Sequence, residues 1–383
     1  MYVYPIFFYF TKVENKTFYF SSFGGQKYSD SPRIISDAVY KNMQSSTIIW
    51  QYRTNDVKKI IPNNYSAVYN YSLKSAYELS KAKFIIGNSI MDFVHKKNNQ
   101  TYIQCWHGTP LKKIENDAKE KLSTRYIKRS NVNTSSTDLL LAGNKYSEEI
   151  FKSAFSKNVP IGRIGTPRVS DMLNRNDREH ENEIREKMGV SEDVYTVCYA
   201  PTFRDIEDEN GQYQLNLLKP EFLLKSIEKK VGKKCKLLIK FHPNITVNLG
   251  SNLNVDYIDV SKTFSMEDTL LVTDMLITDY SSSFFDYALL KRPILLFCYD
   301  KEKYRNMRGF YRELEDLPLY VANDSKELVE IINNVSMNQI VSKSLELEKY
   351  LENYEDGKTV ENILEYINGL IKKETDECEK SSK

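Results

Sequence analysis

Two of the chain's four histidines come directly after apolar runs, where a strand would release them into a cleft. His107 follows Gln104-Cys105-Trp106 and precedes Gly108-Thr109-Pro110-Leu111-Lys112, and His242 ends Leu238-Ile239-Lys240-Phe241 ahead of Pro243. Imidazole titrates near neutrality, so a strand-end histidine can take the proton of an alcohol nucleophile. A turn histidine bonded to backbone is the other reading of His107. Thr109 before Pro110 reads as the N-cap of a basic helix, and Pro243 as the residue that fixes the turn aiming His242. His95 and His180 lie among polar residues and read as solvent-exposed bystanders.

Two further clusters supply groups for an anion. Tyr199-Ala200-Pro201-Thr202-Phe203-Arg204-Asp205 follows an apolar run with a hydroxyl, Thr202, and a guanidinium, Arg204. The most specific cluster runs from Asp274 to Leu290: a hydrophobic strand meets Ser281, Ser282 and Ser283, and an apolar helix follows. Unpaired N–H groups, hydroxyls and the positive helix end would converge there on a pyrophosphate. Asp286, one turn into that helix, either accepts from ribose hydroxyls or is a favourable charge near a helix N-terminus.

Other chemistries lack their signatures. There is no glycine-rich P-loop and no GxGxxG, against a kinase, ATPase or dehydrogenase. No His or Cys pair has ligand spacing, so no metal site and no cofactor is expected. The 45 Tyr and Phe fall mostly in strand-like runs and no recognition module is visible, so they read as core and nucleic acid is not an expected partner. The five cysteines, 105, 198, 235, 298 and 378, have no CxxC spacing and read as reduced thiols of a cytosolic protein. Met1 to Phe10 lacks a basic leader and a cleavage site and is too short to span a bilayer, so it reads as an edge strand.

The elements that must hold these groups follow a repeated strand–helix rhythm, that of an α/β protein. Strands are expected at Thr17–Phe20, Thr47–Trp50, Ala67–Tyr69, Lys83–Ile86, Tyr102–Cys105, Leu139–Ala142 and near Arg163–Ile164. A second set is expected at Tyr195–Tyr199, Lys236–Lys240, Val255–Asp259, Met275–Ile277, Ile294–Phe297 and Leu319–Val321. The charged stretch Asn174–Val190 reads as a linker running into a surface helix, which places a domain boundary near residue 180. The expected domains are 1–180 and 181–357, and the helical pattern over 358–372 is expected to pack back on the first. Two doubly wound domains would bind ligands at the carboxyl ends of their strands, facing a central cleft.

The net charge of +2 hides an asymmetry. Residues 1–180 carry 27 Lys and Arg against 15 Asp and Glu, or +12, whereas the remainder carries 27 against 37, or −10. The densest basic run comprises Lys112, Lys113, Lys119, Lys121, Arg125, Lys128 and Arg129, on an expected helix beside His107. Such a run either contacts a polyanionic acceptor and an anionic membrane surface or is a solvated helix face.

WHGTPLK, YAPTFRD, a strand ending in FHP, and TDYSSSFFDYALLKRPILLF followed by RGFY, in this order, resemble the CDP-glycerol glycerophosphotransferase family of teichoic acid and capsule synthesis. The resemblance covers about residues 16–365. It implies a GT-B fold, two Rossmann-like domains facing each other. It also implies transfer of glycerol phosphate from CDP-glycerol to a hydroxyl of an undecaprenyl-diphosphate-linked or polyol-phosphate acceptor, with release of CMP, at the inner face of the cell membrane.

The family's two important histidines correspond to His107 and His242, and its donor-diphosphate contacts to Ser281, Ser282 and Ser283. Asp286, Thr202, Arg204 and Lys240 follow from neighbouring motifs, and Gly108 and Thr109 lie on the acceptor side. Under this reading His107 accepts the acceptor's proton, while His242, Lys240 and the serine turn stabilise the diphosphate. Ribitol in place of glycerol, a nucleotide-sugar glycosyltransferase on the same fold, and a non-catalytic scaffold are the competing readings.

Overall fold

The structure, a computed structural model, describes residues 4–91, 96–155, 158–204, 211–242 and 253–381. It contains two compact units, one formed by Met1–His107, Ile114–Asp171 and Asn353–Lys383, the other by Gly108–Lys113 and Met172–Glu352.

The first unit is built on seven parallel strands: β1 (Glu14–Ser21), β2 (Thr47–Tyr52), β3 (Ser66–Tyr69), β4 (Ala82–Gly87), β5 (Thr101–Gln104), β6 (Leu139–Leu141) and β7 (Ile161–Gly162). Their order in the sheet is β3-β2-β1-β4-β5-β6-β7. Parallel strands need helices over both faces, so alternate residues of β1 enter two different apolar layers. Phe18 and Phe20 join Trp50, Phe84 and Ile103 on one face, and Tyr19 joins Ile49, Ile85 and Tyr102 on the other. Stacked pairs such as Phe18 with Phe84, 4.9 Å between centroids, explain the aromatic content as packing.

The helix Thr359–Ser381 supplies Ile363 and Ile367 to the Phe18 layer. The chain is fastened on its way there. Tyr354 N–H donates to the Gly143 carbonyl at 2.9 Å. Both carboxylate oxygens of Glu355 accept from the Thr166 N–H at 3.0 Å, and Thr166 Oγ1 donates to one of them at 2.9 Å. A side-chain carbon at Gly143 or Gly165 would collide with that carboxylate, and Gly165 has φ +82° as well, so both positions require glycine.

The second unit has six parallel strands: β8 (Tyr195–Ala200), β9 (Cys235–Ile239), β10 (Tyr257–Asp259), β11 (Met275–Thr278), β12 (Ile294–Phe297) and β13 (Tyr320–Ala322), in the order β10-β9-β8-β11-β12-β13. Val197, Tyr199, Leu237, Ile277, Leu295 and Phe297 pack beneath Leu223, Ile227 and Leu328. All thirteen strands lie at or beside the stretches the apolar runs mark. The one near Arg163–Ile164 occupies Ile161–Gly162 instead.

The amino-terminal segment departs from expectation. Tyr4–Phe10 is a helix and not an edge strand. It joins neither end of the open sheet, β3 or β7, whose outer edges no other strand of the sheet occupies. It coils instead against the helix Leu73–Lys81, with Phe7 set edge-on to Tyr77 at 5.6 Å. Among the described residues no helix is long and apolar enough to cross a membrane. Cys105, Cys198, Cys235 and Cys298 are buried free thiols, and burial raises their pKa values, to about 12 for Cys198.

Candidate active site

In the first sheet the chain winds from β1 outward to β3 and then resumes at β4 on the other side of β1. Ligands of open α/β sheets bind outside the carboxyl ends of the strands at such a reversal. Three segments meet there: Ser22-Phe23-Gly24-Gly25 after β1, Asn88 after β4, and His107 after β5. His107 is exposed, and its Nδ1 lies 2.7 Å from the Asn88 carbonyl oxygen. A carbonyl only accepts, so Nδ1–H donates and the lone pair of the neutral ring resides on Nε2.

The ring contacts Trp106 at 4.3 Å and Phe23 at 5.8 Å between centroids. Trp106 takes φ +52° and Gly108 φ +147°. A bulky side chain in the left-handed region is a strained turn of the kind found at functional sites. This turn is held by Trp106 N–H donating to Gln104 Oε1 at 3.0 Å.

In the second sheet the reversal falls between β8 and β11. Asp279, at the end of β11 and buried, accepts from Thr202 N–H at 2.8 Å, Thr202 Oγ1 at 2.7 Å and Arg204 Nη2 at 2.9 Å. Arg204 also reaches Asp300, beyond β12, through Nε at 2.8 Å and Nη2 at 3.0 Å. Its guanidinium stands 4.7 Å from the Tyr304 ring and 5.1 Å from that of Tyr280, which stack at 4.0 Å. Burial opposes the charge on Arg204, but Asp279 and Asp300 more than offset it and hold its pKa above the ordinary value. Arg204 therefore pins the loops after β8, β11 and β12 together.

The residues that follow on these loops are half-buried or buried, and the exposed group beside them is His242, after β9. Phe203 places its ring 5.5 Å from the exposed His242 imidazole. Ser281 and Ser282 are half-buried, Ser283 is buried, and the hydroxyls of Ser281 and Ser283 are 2.9 Å apart. The helix they lead into, Ser283–Ala288, is only six residues long, with Ser282 already helical and making no side-chain cap. Backbone groups and hydroxyls of the turn thus offer more to an anion than a helix dipole does. Asp286 is buried on that helix.

Several expected site residues are placed differently. Arg204 directs its hydrogen bonds to the protein's own Asp279 and Asp300 carboxylates and to the Thr202 carbonyl. Lys240 is buried and donates to the carbonyls of Val260, at 3.0 Å, and Phe264, so its ammonium braces the loop after β10. Thr109 is buried and caps no helix, because 109–114 form none.

The basic run does not share one helix. Gly108–Lys113 belong to the second unit, where Lys112 pairs with Phe310 in an antiparallel bridge. There Lys113 N–H donates to Gly309 O at 3.1 Å, and Lys112 Nζ to Tyr304 Oη at 3.1 Å. Lys119 and Lys121 lie in a turn, and only Arg125, Lys128 and Arg129 are on the helix Thr124–Ser135, opened by the Ser123 cap at 3.2 Å from Tyr126 N–H. All three are exposed.

His180 is exposed beside Asp177, whereas His95, Asp205 and Pro243 lie outside the described residues. Among the described residues no three His, Cys, Asp or Glu side chains group as a metal site. Sequence reasoning missed Asp279, Asp300, Phe23 and Asn88. The available signal was position: Asp279, Asp300 and Asn88 each come one to three residues after an apolar strand.

The chain matches the family described as CDP-Glycerol:Poly(glycerophosphate) glycerophosphotransferase over residues 3–369. It is 36% identical to a teichoic acid poly(glycerol phosphate) polymerase of Staphylococcus epidermidis over 379 residues, 95% of this chain and 52% of that protein, so it spans about half of that relative. A teichoic acid glycerol-phosphate transferase of Staphylococcus aureus is 30% identical, with 95% of this chain and 96% of that one covered. Among solved structures, the wall teichoic acid polymerase TagF superposes with a TM-score of 0.84 at 34% identity, covering 97% of this chain and 93% of that one. A UDP-N-acetylglucosamine 2-epimerase from Listeria monocytogenes, at 13% identity and TM-score 0.54, shares the two-domain GT-B type of fold alone. The family that the four motifs resemble is thus the one that the whole chain matches, and the protein belongs to the CDP-glycerol:poly(glycerophosphate) glycerophosphotransferases.

Proposed function

We propose that the chain transfers glycerol phosphate from CDP-glycerol to a hydroxyl of a polyol-phosphate acceptor, itself linked to undecaprenyl diphosphate. The observation that carries this reading is the hydrogen bond from His107 Nδ1 to the Asn88 carbonyl, on an exposed ring at the switch point of the first sheet. It leaves Nε2 as the basic nitrogen. Nε2 takes the proton of the acceptor hydroxyl, whose oxygen attacks the β-phosphorus of CDP-glycerol. The bond from that phosphorus to the bridging oxygen breaks, and CMP departs with the electron pair. Positioning and charge stabilisation dominate phosphoryl transfer. His242 and the Ser281–Ser283 turn supply them to the diphosphate, while Thr202, Arg204 and Asp279 hold the turn in place. Lys240 acts by bracing the loop after β10, and Asp286, buried on the helix after the serine turn, stands behind that turn.

The test is incubation with CDP-glycerol and a synthetic lipid-linked acceptor, followed by CMP release and product mass. Products heavier than the acceptor by whole glycerol phosphate units, with one CMP released per unit, are expected. Release of CMP only with CDP-ribitol would move the donor assignment, and transfer only from nucleotide sugars would overturn it.

We also assign Arg125, Lys128 and Arg129 to contact with an anionic surface, the acceptor polymer or the inner face of the cell membrane. Each basic residue at an anionic surface contributes about 1 kcal/mol. Replacing all three with glutamine should weaken sedimentation with phosphatidylglycerol vesicles roughly 100-fold and flatten its salt dependence. Unchanged sedimentation would remove them from the role.

A further inference from the structure

Asn88 is fully buried at the carboxyl end of β4, where it serves two segments at once. Its backbone carbonyl accepts from His107 Nδ1 at 2.7 Å, and its side-chain Oδ1 accepts from the Phe23 N–H at 2.8 Å. Phe23 itself holds φ +47°, a conformation a phenylalanine adopts only under constraint, and its ring contacts the His107 imidazole. Its other face of contact is cationic, with Lys27 Nζ 5.0 Å from the ring centroid. A second tie reaches the same place from β5, because Gln104 Nε2 donates to the Ser89 carbonyl at 3.1 Å while Gln104 Oε1 holds the Trp106 N–H.

Among the described residues, the buried Asn88 Nδ2 has no hydrogen-bond acceptor. A wasted buried donor is a cost that packing does not explain. The neighbouring chemistry explains it. Aspartate would accept from Phe23 N–H without wasting a donor, but would put a carboxylate beneath the imidazole. Asparagine is the isosteric acceptor that carries no charge.

We propose that Asn88 is the positioning residue of the acceptor half of the site: its carbonyl selects the His107 tautomer with Nε2 unprotonated, and its carboxamide clamps the Phe23 turn that keeps the ring in place. This rests on the reading of His107 as the base, and it adds a residue that touches neither substrate.

The experiment combines ring ¹⁵N spectra with steady-state kinetics on the full chain, using CDP-glycerol and a polyol-phosphate acceptor. Only four histidines contribute signals, and His107→Ala assigns the one that matters. In the unaltered protein the His107 signals should report one tautomer, protonated at Nδ1. Asn88→Ala keeps the backbone carbonyl but releases the Phe23 turn, so the ring should drift from that carbonyl, mix its tautomers and lose about 10- to 100-fold in kcat, as outer partners of positioned groups do, with KM for CDP-glycerol unchanged. Asn88→Asp restores the acceptor for Phe23, so it should return the single tautomer and raise the acidic limb of the pH profile of kcat/KM, because a nearby carboxylate favours imidazolium.

A folded Asn88→Ala with one tautomer and normal kcat would overturn the proposal. So would an Asn88→Asp whose acidic limb does not move, which keeps the test decisive should the alanine variant fail to fold. If His107→Ala kept full activity, the base assignment would fall while the tautomer spectra still judged Asn88 separately.

Discussion

The two switch points are held by opposite means. In the first unit the elements at the reversal are joined by neutral hydrogen bonds, Asn88 to Phe23 and Asn88 to His107, and the group presented to solvent is the imidazole. In the second unit a buried arginine between a buried carboxylate, Asp279, and a half-buried one, Asp300, joins three loops, with side chains of Arg204 and Asp279 each 2% exposed. A buried ion pair is costly to break and contributes geometry more than net stability. A general base must take up and release a proton near neutrality, as an imidazole does. Under the proposed function the two sides differ accordingly: one changes protonation in each turnover, and the other holds a turn rigid against a ligand that brings its own charge.

That contrast breaks if the two sides respond alike to substitution. The largest effect expected is on turnover: His107→Ala should lower kcat about 10²- to 10⁴-fold, the usual worth of a general base, with an unchanged melting curve because the ring is exposed. Arg204→Met should do the reverse. It strands Asp279 and Asp300 and should cost about 3–5 kcal/mol of stability, read as a lower urea midpoint for the second unit, with activity lost in proportion to the unfolded fraction. A destabilised His107→Ala or a fully stable Arg204→Met would each erase the distinction.

The first unit does own a buried charge, placed away from its switch point. Glu148 meets Arg163 at 2.7 Å, Lys152 at 2.7 Å and the Tyr354 hydroxyl at 2.8 Å, and Arg163 above all draws its pKa from 4.5 down to about 2. A carboxylate depressed in the folded state stabilises fully above its ordinary value and loses that contribution as pH falls through about 2. Between pH 6 and pH 3 the urea midpoint of the unaltered protein should therefore fall further than that of Glu148→Gln. Equal falls would show that the ion pair is spent on geometry alone. The smallest expected effect is at the serine turn: Ser281→Ala removes one hydroxyl and should raise KM for CDP-glycerol about tenfold, the lower end of the worth of a hydrogen bond to a charged group. A larger loss in kcat than in KM would place Ser281 on the transition state instead.

The strands were legible because apolar runs bounded by polar turns survive any detail of packing, and both sheets follow from them. The motifs fall on loops at the carboxyl ends of strands for the same reason, since ligand groups of α/β sheets gather there. Side-chain direction was not legible. Arg204 and Lys240 read as anion contacts because a cation after a strand has nowhere else to go in one dimension. Asp279, Asp300 and the Val260 and Phe264 carbonyls that receive them come from 20 to 96 residues away. Tyr4–Phe10 failed for a related reason: an aromatic run buries itself equally well on a strand or on one face of a helix, and here the partner that decides is the helix Leu73–Lys81, about 70 residues away in sequence.

The clasp of Glu355 over Gly143 and Gly165 bears on how the protein is made. Ile363 and Ile367 emerge from the ribosome after every other buried residue of either apolar layer, so the lobe that begins first is sealed last. The six-stranded lobe, complete by Glu352, can close while its partner still waits for those two isoleucines. During that interval the aromatic layer around Phe18 and Trp50 lacks its cover, the stage of synthesis at which chaperone binding would matter most.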